Sequence, residues 1–389
     1  MHMYPNTLVA PLDLDDRKMH LKKNSIRSCA EDKRSPSSTM LIGFDWGTNK
    51  SCLKASAAGS NEIVLNEIIP TVVGYAHDGI VENLLPGNVK VMYGEEALKN
   101  RLHLRLVQPM VDGVIEDLSA ARDFAKHLRT LIETEAGTEL KAVIGLPANV
   151  GRSARENLRQ AVAELFDRVI LVPEPFLAAL GFRDESRLGQ ENYVDPVSNS
   201  LFVDIGGGTT DVCLVQGYFP TAEDQLSLQF AGDKVDALIN EALKQAYPDC
   251  ALSMIKIRAI KEQHAYVGKL DKPILINVVI GGKMRQLDLT QAIGDACTEL
   301  LRRIFEAVKA IIARASTDSV AELMQNIVLT GGGSRIAGLD AELQRMLLEE
   351  GYENPRVHVA GEHYKEYVAL GGLRAARQAK ETQWQQVIA

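Results

Sequence analysis

The chain has 389 residues, of which 46% are hydrophobic, and a formal net charge of −8. This length predicts about two to three domains with sizeable apolar cores. The acidic balance argues against nucleic acid as the main partner, because a phosphate backbone attracts a basic face. No stretch approaches 18 consecutive apolar residues, and no apolar run before a small-residue cleavage site opens the chain, so we expect neither a transmembrane helix nor a signal peptide.

The first 39 residues differ from the rest of the chain. They are polar, mixed in charge and end in Ser-Pro-Ser-Ser-Thr, a composition that predicts a disordered extension. The five cysteines are scattered without a CxxC pair. This spacing is typical of reduced thiols rather than of disulfides or a metal site, and we expect Cys52 and Cys213 to lie in strands.

The first half of the chain alternates strand and helix patterns. A buried strand over residues 41–44 leads into a tight turn at 45–49, and apolar residues resume at 52–53. Residues 61–110 predict short strands and turns with little helix. The elements expected next are a helix capped by Asp117 or Ser119, a strand over 142–145, a helix over about 153–166, a strand over 169–172 and a helix beginning near Glu174.

The same pattern then restarts. An apolar strand over residues 201–203 is followed by an aspartate, three glycines, a threonine and a second strand over 212–215, which repeats the order seen around Asp45. Internal similarity of this kind predicts two related α/β lobes facing one cleft. The remaining predicted elements are a helical region over about 233–268, a β-like segment over 273–289, a long helix over about 291–315, a strand over 327–329 and a helix near Leu339.

Residues 204–211, Asp-Ile-Gly-Gly-Gly-Thr-Thr-Asp, form the most informative loop. Its glycines allow the backbone to approach a phosphate and to turn several N–H groups toward it, while Thr209 and Thr210 add hydroxyl donors. Asp204 could hold Mg²⁺ through water, because this ion keeps most of its hydration shell. A plain hairpin turn would also use glycine, but it would not need the flanking aspartates.

The commoner nucleotide-binding motifs do not fit this loop. The sequence has no GxxxxGK[ST], and Asp211 stands where GxGxxG requires its last glycine; both of those motifs also lead into a helix. Residues 204–211 lead into a strand instead. We therefore expect phosphate to be held between two β-hairpins, the second formed by the turn at Asp45. Taken alone, that turn and the glycine triplet at 331–333 are weak indications of nucleotide binding. Together with the loop at 204–211 they become informative.

The order of the three motifs resembles the actin–Hsp70–sugar kinase superfamily. The motifs are Asp45-x-Gly47-Thr48, residues 204–211 and Gly331-Gly332-Gly333. The resemblance covers residues 40–378. Pro-Met-x-x-Gly-Val-Ile over 109–115 and Ile-Lys-Glu-x-x-x-Tyr-Val over 260–267 are similar to bacterial actins and actin, whereas residues 143–148, 174–176, 217–228 and 325–328 are similar to the magnetosome actin-like proteins.

The resemblance implies roles for the matching residues. Asp45 and Asp204 would hold hydrated Mg²⁺, and Glu174 would position the attacking water, as suits a reaction that needs mainly positioning and charge neutralisation. The implied nucleotide-binding residues are Gly47, Thr48, Asn49, Gly206, Gly207, Gly208 and Thr209 at the phosphates, and Lys261, Glu262, Gly331, Gly332, Gly333 and Arg335 at the adenosine. Alternatively, Glu174 is only a helix N-terminal acid favoured by the helix dipole, and Lys261 and Glu262 belong to a solvated helix face.

Two positions near the first turn do not match a predicted role. Many relatives carry Leu or Asn where this chain has Trp46. Lys50 falls near the position of a phosphate-contacting cation in some members, but the sequence does not fix the register between the two, so Lys50 is not among the predicted site residues.

The fold implied by the resemblance is α/β: an actin-like two-lobed ATPase fold with duplicated RNase H-like cores, subdomains IA, IB, IIA and IIB, around a central nucleotide cleft. The expected bounds are 40–185 for lobe I with a IB insertion at about 61–110, 186–378 for lobe II with a IIB insertion at about 233–290, and 379–389 for a tail. Trp384, Val387 and Ile388 lie among many Gln and Lys residues, so a solvated terminal helix is expected rather than a membrane anchor.

The implied function is a cytoplasmic ATPase that uses ATP and Mg²⁺ and polymerises with itself. ATP would favour head-to-tail assembly into open filaments, and hydrolysis would favour release. The magnetosome resemblance places such a filament beside the magnetosome chain, with magnetosome-associated accessory proteins as partners. Alternatives are another bacterial actin, of the cell-shape or plasmid-segregation type, or a sugar-kinase-like phosphotransferase, for which no acceptor pocket is identifiable. An Hsp70-type chaperone would need a β-rich substrate domain after residue 378.

Overall fold

The computed structural model describes residues 38–163, 165–191 and 193–386. The disordered extension predicted for residues 1–39 lies outside the described residues, apart from Ser38 and Thr39. These two residues already belong to the first strand, which therefore begins before the predicted range of 41–44.

A six-stranded sheet forms the centre of the first half. Its strands are β1 (Ser38–Trp46), β2 (Lys50–Ala57), β3 (Leu65–Pro70), β9 (Thr138–Leu146), β10 (Arg168–Pro173) and β18 (Gln385–Gln386), in the spatial order β18-β10-β9-β1-β2-β3. β1 pairs antiparallel with β2 and parallel with β9, and β9 pairs parallel with β10. The carboxyl ends of β1, β9 and β10 therefore lie at one edge, where parallel α/β sheets usually place their ligands.

A smaller sheet follows the β1–β2–β3 unit in the chain. It contains β4 (Val73–Ala76), β5 (Val91–Tyr93) and β6 (Leu104–Val107), with α1 (Gly94–Lys99) beside it. The short strands β7 (Met110–Val111) and β8 (Val114–Ile115) then form a separate hairpin. The insertion was expected from about residue 61, but β3 still pairs with β2, so the separate sheet begins at Val73.

The helices of the first half are α2 (Leu118–Thr130), α3 (Arg152–Val162) and α4 (Glu174–Phe182), which confirms the three predicted helices. Asp117 caps α2, since its Oδ1 accepts from the Ala120 backbone N–H at 2.9 Å. α3 ends before the predicted Phe166, because Ala163 adopts ψ 141°.

The last helix, α10 (Tyr367–Gln378), packs on this first sheet and on α4. The approach is very close: a Cβ at Gly43 would lie 1.9 Å from the Ala369 carbonyl oxygen, and one at Gly371 would lie 1.8 Å from that of Leu177. Glycine is therefore required at both positions. The sequence-based bounds had assigned residues up to 378 to the second lobe, whereas α10 lies against the sheet of the first. The proposed division between residues 185 and 186 otherwise stays a prediction.

A five-stranded sheet forms the centre of the second half. Its strands are β11 (Ser200–Ile205), β12 (Thr210–Val215), β13 (Gln225–Leu228), β16 (Ile327–Thr330) and β17 (Val357–Val359), in the order β13-β12-β11-β16-β17. β11 pairs antiparallel with β12 and parallel with β16, just as β1 pairs with β2 and β9. The two sheets thus repeat one pattern, as the internal similarity predicted. Cys52 and Cys213 lie in β2 and β12, in agreement with their predicted place in strands.

The other elements of the second half cover this sheet or extend from it. They are α5 (Gly232–Ala246), α6 (Met254–His264), β14 (Leu275–Ile280), β15 (Lys283–Asp288), α7 (Thr290–Ile312), α8 (Val320–Leu323) and α9 (Leu339–Glu350). α7 buries an apolar stripe that includes Ile293, Leu300 and Val308 in a core shared with β11 and β12. Across the described residues, we find no helix long and apolar enough to cross a membrane.

The terminal segment differs from its prediction. The solvated terminal helix was expected to include Trp384, but α10 ends at Gln378, and Gln385–Gln386 instead add a short antiparallel edge strand to β10. Trp384 is buried, with the Lys141 ammonium 5.6 Å from its ring centroid. Burial of the indole ring against the sheet outweighs the polar character of its neighbours in sequence. Val387 and Ile388 lie outside the described residues.

Candidate active site

A cleft of about 460 Å³ is lined by residues from both sheets. It brings together every residue that the sequence predicted for the site. These are Asp45, Gly47, Thr48, Asn49, Glu174, Asp204, Gly206, Gly207, Gly208, Thr209, Lys261, Glu262, Gly331, Gly332, Gly333 and Arg335. Their roles remain predictions, but residues more than 280 positions apart in sequence, such as Asp45 and Arg335, line one space.

Two glycine-containing hairpins face each other in this cleft. The first is the β1–β2 turn, and the second is the β11–β12 loop, which is closed by the Gly206 N–H donating to the Thr209 carbonyl at 2.9 Å. The two are interlocked, because a Cβ at Gly207 would lie 2.0 Å from Asn49 Nδ2. The glycines are therefore needed for the hairpins to approach each other, and they leave backbone N–H groups free of side-chain cover.

The β7–β8 turn supports both hairpins. Its Gly113 N–H donates to Thr48 Oγ1 at 3.2 Å, and a Cβ at Gly208 would lie 2.7 Å from the Asp112 Cα. Gly113 has φ +74°, a conformation that glycine adopts without strain. Because Thr48 Oγ1 accepts this bond, its hydroxyl hydrogen is left to donate to another group. The 109–115 segment, noticed in the sequence only as a similarity, therefore orients a predicted phosphate-binding residue.

Three carboxylates gather on the floor of the cleft. Burial and, to a smaller extent, Asp204 raise the pKa of Asp45 to about 8, while burial and then Asp211 raise the pKa of Asp204 to about 7. Burial, followed by Asp45, raises the pKa of Glu174 well above its usual range. Acidic groups that raise one another's pKa in this way provide a site for a cation, which would neutralise their shared charge.

Asp45 and Asp204 fit a hydrated Mg²⁺. Among the residues that the structure describes, no group of three or more His, Cys, Asp or Glu could hold a metal ion by itself. Two carboxylates with water and phosphate oxygens are nevertheless the usual donor set for this ion in nucleotide sites. The donor chemistry therefore suits Mg²⁺ that is bound together with a nucleotide.

Asp211 lies behind the cleft and holds the second hairpin in place. It accepts hydrogen bonds from Thr209 Oγ1 at 2.8 Å and from the Ala148 backbone N–H at 2.9 Å. These bonds work against the effect of burial, which raises its pKa to about 6. The last residue of the glycine-rich motif is therefore an anchor between β12 and the loop after β9.

Glu174 is the first residue of α4 and follows directly on β10. Its side chain lines the cleft, where a Cβ at Gly145 would lie 2.9 Å from its Cγ. An acid that served only to stabilise the helix N-terminus would more simply face solvent. The position inside the cleft, beside Asp45, favours a chemical role.

The glycine triplet at 331–333 lines the cleft beside Asp204. Gly331 has φ +76° and lies so close to Asp204 that a Cβ would be 2.3 Å from Oδ1. A Cβ at Gly332 would meet no atom within 4 Å, so this residue presents bare backbone to open space. Lys261 and Glu262, from α6, also line the cleft, which argues against an ordinary solvated helix face.

Some residues of the cleft were not predicted. Tyr364 and Lys365 reach it from the segment before α10, which carries no recognisable motif. Lys50 lines it too, and burial together with the neighbouring Lys365 lowers the pKa of Lys50. Tyr364 and Lys365 can be assigned to the cleft only once α10 is known to pack on the first sheet.

Comparison with known proteins agrees with this geometry. The family model described as MreB/Mbl protein matches residues 39–383. The actin-like protein MamK of Magnetospirillum gryphiswaldense is 30% identical over 82% of this chain and 84% of its own length. A MamK double helical filament superposes with a TM-score of 0.78 at 28% identity, covering 88% of this chain and all of that one.

A second solved structure is that of a relative bound to a nucleotide analogue. It is a non-polymerising MamK mutant bound to AMPPNP, with a TM-score of 0.62 and 28% identity over 87% of this chain and 98% of that one. The agreement extends over sequence, fold and nearly the whole length of the relatives. The chain therefore has the actin-like fold and belongs to the MreB/Mbl family of bacterial actin-like proteins.

Proposed function

We propose that this chain is an ATPase that binds Mg-ATP in the central cleft and assembles with its own copies into filaments. The observation that carries the proposal is the pair of interlocked glycine hairpins with three carboxylates at their base. Relatives of similar sequence are described as a double helical filament and as bound to AMPPNP, which supports both halves of the proposal.

The phosphate end of the nucleotide would lie between the two hairpins. Backbone N–H groups of residues 206–209 would donate to phosphate oxygens, and Thr48, oriented by Gly113, would add its hydroxyl. Asp45 and Asp204 would hold Mg²⁺ through water, and the ion would neutralise phosphate charge. The bare backbone of Gly332 and the α6 residues Lys261 and Glu262 would take the nucleoside.

Hydrolysis would depend on Glu174. Its carboxylate is held inside the cleft beside Asp45, where it can accept a hydrogen bond from a water molecule and orient it. Burial raises the pKa of Glu174, and a cation held by Asp45 and Asp204 would act in the opposite direction, toward the ionised carboxylate that accepts a hydrogen bond from water. Because phosphoryl transfer to water needs mainly alignment and charge neutralisation, one positioned carboxylate is sufficient.

The filament would join copies head to tail. Such contacts do not close on themselves and so generate open polymers, which ATP would favour and hydrolysis would weaken. The resemblance of the sequence to magnetosome actin-like proteins makes a filament beside the magnetosome chain, with accessory proteins of that organelle, the proposed setting. The MreB/Mbl family match also fits a cell-shape role.

Substitution of Asp204 tests the proposed nucleotide site. Asp204→Ala removes one of the two cation-holding carboxylates, so we expect Mg²⁺-dependent ATP affinity to fall by about tenfold or more, equivalent to about 1.4 kcal/mol. Isothermal titration with Mg-AMPPNP, and with AMPPNP in EDTA, measures it. Asp318→Ala, at an exposed loop position, is the matched control. Wild-type affinity in Asp204→Ala would rule out its role in holding the metal.

A further inference from the structure

A polar contact joins the two halves of the molecule beside the phosphate hairpins. Asn49, in the β1–β2 turn, donates from Nδ2 to Asp233 Oδ1 at 3.0 Å. Asp233 lies in the first turn of α5, whose start is fixed to the second hairpin because the Asp233 backbone N–H donates to the Gly207 carbonyl at 2.8 Å. This contact therefore ties the first hairpin to the element that carries the second.

The same carboxylate oxygen also accepts from Arg258 of α6. Arg258 Nη2 lies 2.8 Å from Asp233 Oδ1, and its Nε donates to Asp236 Oδ2 at 3.1 Å. Asp236 is fully buried, with no exposed side-chain area. One guanidinium thus holds two carboxylates of α5 in fixed positions, which its planar arrangement of donors suits.

The chain of contacts ends in the cleft. The second oxygen of Asp236 forms an ion pair with Lys261 Nζ at 3.2 Å, and Lys261 also donates to the Gly232 carbonyl at 3.4 Å. Burial raises the pKa of Asp236, and Lys261 and Arg258 act in the opposite direction. Both cations are therefore needed to balance this buried carboxylate.

These contacts define the orientation of two predicted nucleotide-binding residues. The carboxylate of Asp233 requires the amide nitrogen of Asn49, not its oxygen, to face it, which uses one of the two amide hydrogens and leaves the other free to donate. Asp236 likewise restrains the ammonium of Lys261. Arg258 and Asp233 themselves do not line the cleft, so they act through their neighbours.

We propose that Arg258 and Asp233 are positioning residues. Together they hold Asn49 over Gly207 and, through Asp236, they direct Lys261 into the cleft. Both ends of the nucleotide are then held by one connected network. The inference rests on the proposed nucleotide function. It predicts that loss of the Asn49 contact weakens ATP binding more than ADP binding, because Asn49 is expected to contact the β- and γ-phosphates. Loss of the Lys261 contact should weaken both, because Lys261 is expected at the nucleoside, which ATP and ADP share.

Nucleotide affinities of the full chain test this network. We expect Asp233→Ala to weaken Mg-AMPPNP binding by about tenfold and Mg-ADP binding by less than about threefold, the loss of about one charge-assisted hydrogen bond. Arg258→Met should weaken both, since Lys261 is released as well. Titration calorimetry measures the affinity for each nucleotide, at protein concentrations at which light scattering detects no assembly. Arg345→Met, which removes two exposed ion pairs on α9, should change neither affinity.

A second combination separates positioning from a general loss of stability. In Asn49→Ala the AMPPNP-to-ADP affinity ratio should fall, and adding Asp233→Ala should lower it no further, because both changes remove the same contact. A ratio in Asp233→Ala equal to that of the wild type would overturn the inference. Wild-type protein that binds neither nucleotide would instead overturn the proposed function. If Arg258→Met fails to fold because Asp236 is left underpaired, the one-quarter-exposed Asp233 still carries the test.

Discussion

At the scale of single residues, the position of Glu174 is set by packing. A Cβ at Gly145 would lie 2.9 Å from Glu174 Cγ and 2.8 Å from Val368 Cγ1, so the Glu174 side chain packs on β9 at a position that α10 also approaches. In the part of the chain that the structure describes, no hydrogen-bond donor of the protein reaches the carboxylate oxygens. Both oxygens are therefore available to a water molecule.

Replacing Glu174 should separate hydrolysis from binding. In Glu174→Ala we expect ATP hydrolysis to slow by about 10²–10⁴-fold, the usual contribution of a positioned base, while ATP binding and sedimentation persist. Phosphate release and pelleting with Mg-ATP measure the two properties. Glu353→Ala, at an exposed position, is the control. An unchanged hydrolysis rate in Glu174→Ala would show that another group orients the water.

Where residues belonged to motifs, the sequence predicted that they would lie together, and the structure places them in one cleft. Asp45 and Asp204 lie at the carboxyl ends of β1 and β11, the glycine triplet follows β16, and these strand ends meet at one cleft. Tyr364 and Lys365 could not be predicted in this way. Their place depends on how α10 packs, and a polar segment before a helix carries no signal of that packing.

At the scale of elements, α10 is fastened to the first sheet at its N-terminus. Lys54 of β2 has a nearly buried side chain, and its Nζ donates to Glu366 Oε2 at 2.6 Å and to Asn66 Oδ1 at 2.7 Å. The hydrogen bond from Lys54 lowers the pKa of Glu366. Because Lys365 directly precedes this ion pair, the same anchor places part of the cleft wall.

Removing the Glu366 charge should loosen this anchor. Leaving a buried cation unpaired costs about 3–5 kcal/mol, and we expect about 1–3 kcal/mol for Glu366→Gln because one fifth of its side chain is exposed to solvent. Chemical denaturation at neutral pH measures the difference, and Lys54→Met/Glu366→Gln should recover part of it. An unchanged denaturation midpoint in the single variant would contradict the assignment.

The same ion pair predicts a pH dependence. The pKa of Glu366 is lowered in the folded protein from its ordinary 4.5, so its stabilisation is complete above that value and is lost as the pH falls through the folded pKa. The stability gap between wild type and Glu366→Gln should therefore close in acid.

Regular helices and strands were easier to predict than the elements that they pack against or pair with. Long amphipathic helices such as α2 and α7 were predicted close to their observed positions, because burial of one face imposes a clear pattern, whereas β9 begins at Thr138, before the predicted 142–145. The edge strand β18 has only two residues and no such pattern. The sequence pattern does not show which sheet α10 covers; the close approach of Gly43 and Gly371 to neighbouring backbone decides that.

At the scale of the whole molecule, the cleft is formed by two halves that repeat the same arrangement of strands. Each half contributes a sheet in which one strand pairs antiparallel with its successor and parallel with a later strand, and each places a glycine-containing hairpin at the same end. The two hairpins meet and interlock at Asn49 and Gly207. The order of motifs in the sequence predicted this arrangement, whereas the contacts between the halves, such as that of Asn49 with Asp233, required the structure.

The most direct test of the account is sedimentation of the full chain with simultaneous measurement of phosphate release. At concentrations well above micromolar, we predict that Mg-ATP drives the wild-type protein into the pellet and that phosphate is released, with Glu174→Ala remaining in the pellet longer and Asp204→Ala staying largely in the supernatant. Wild-type protein that stays monomeric under these conditions and releases no phosphate would contradict the proposal of a filament-forming ATPase.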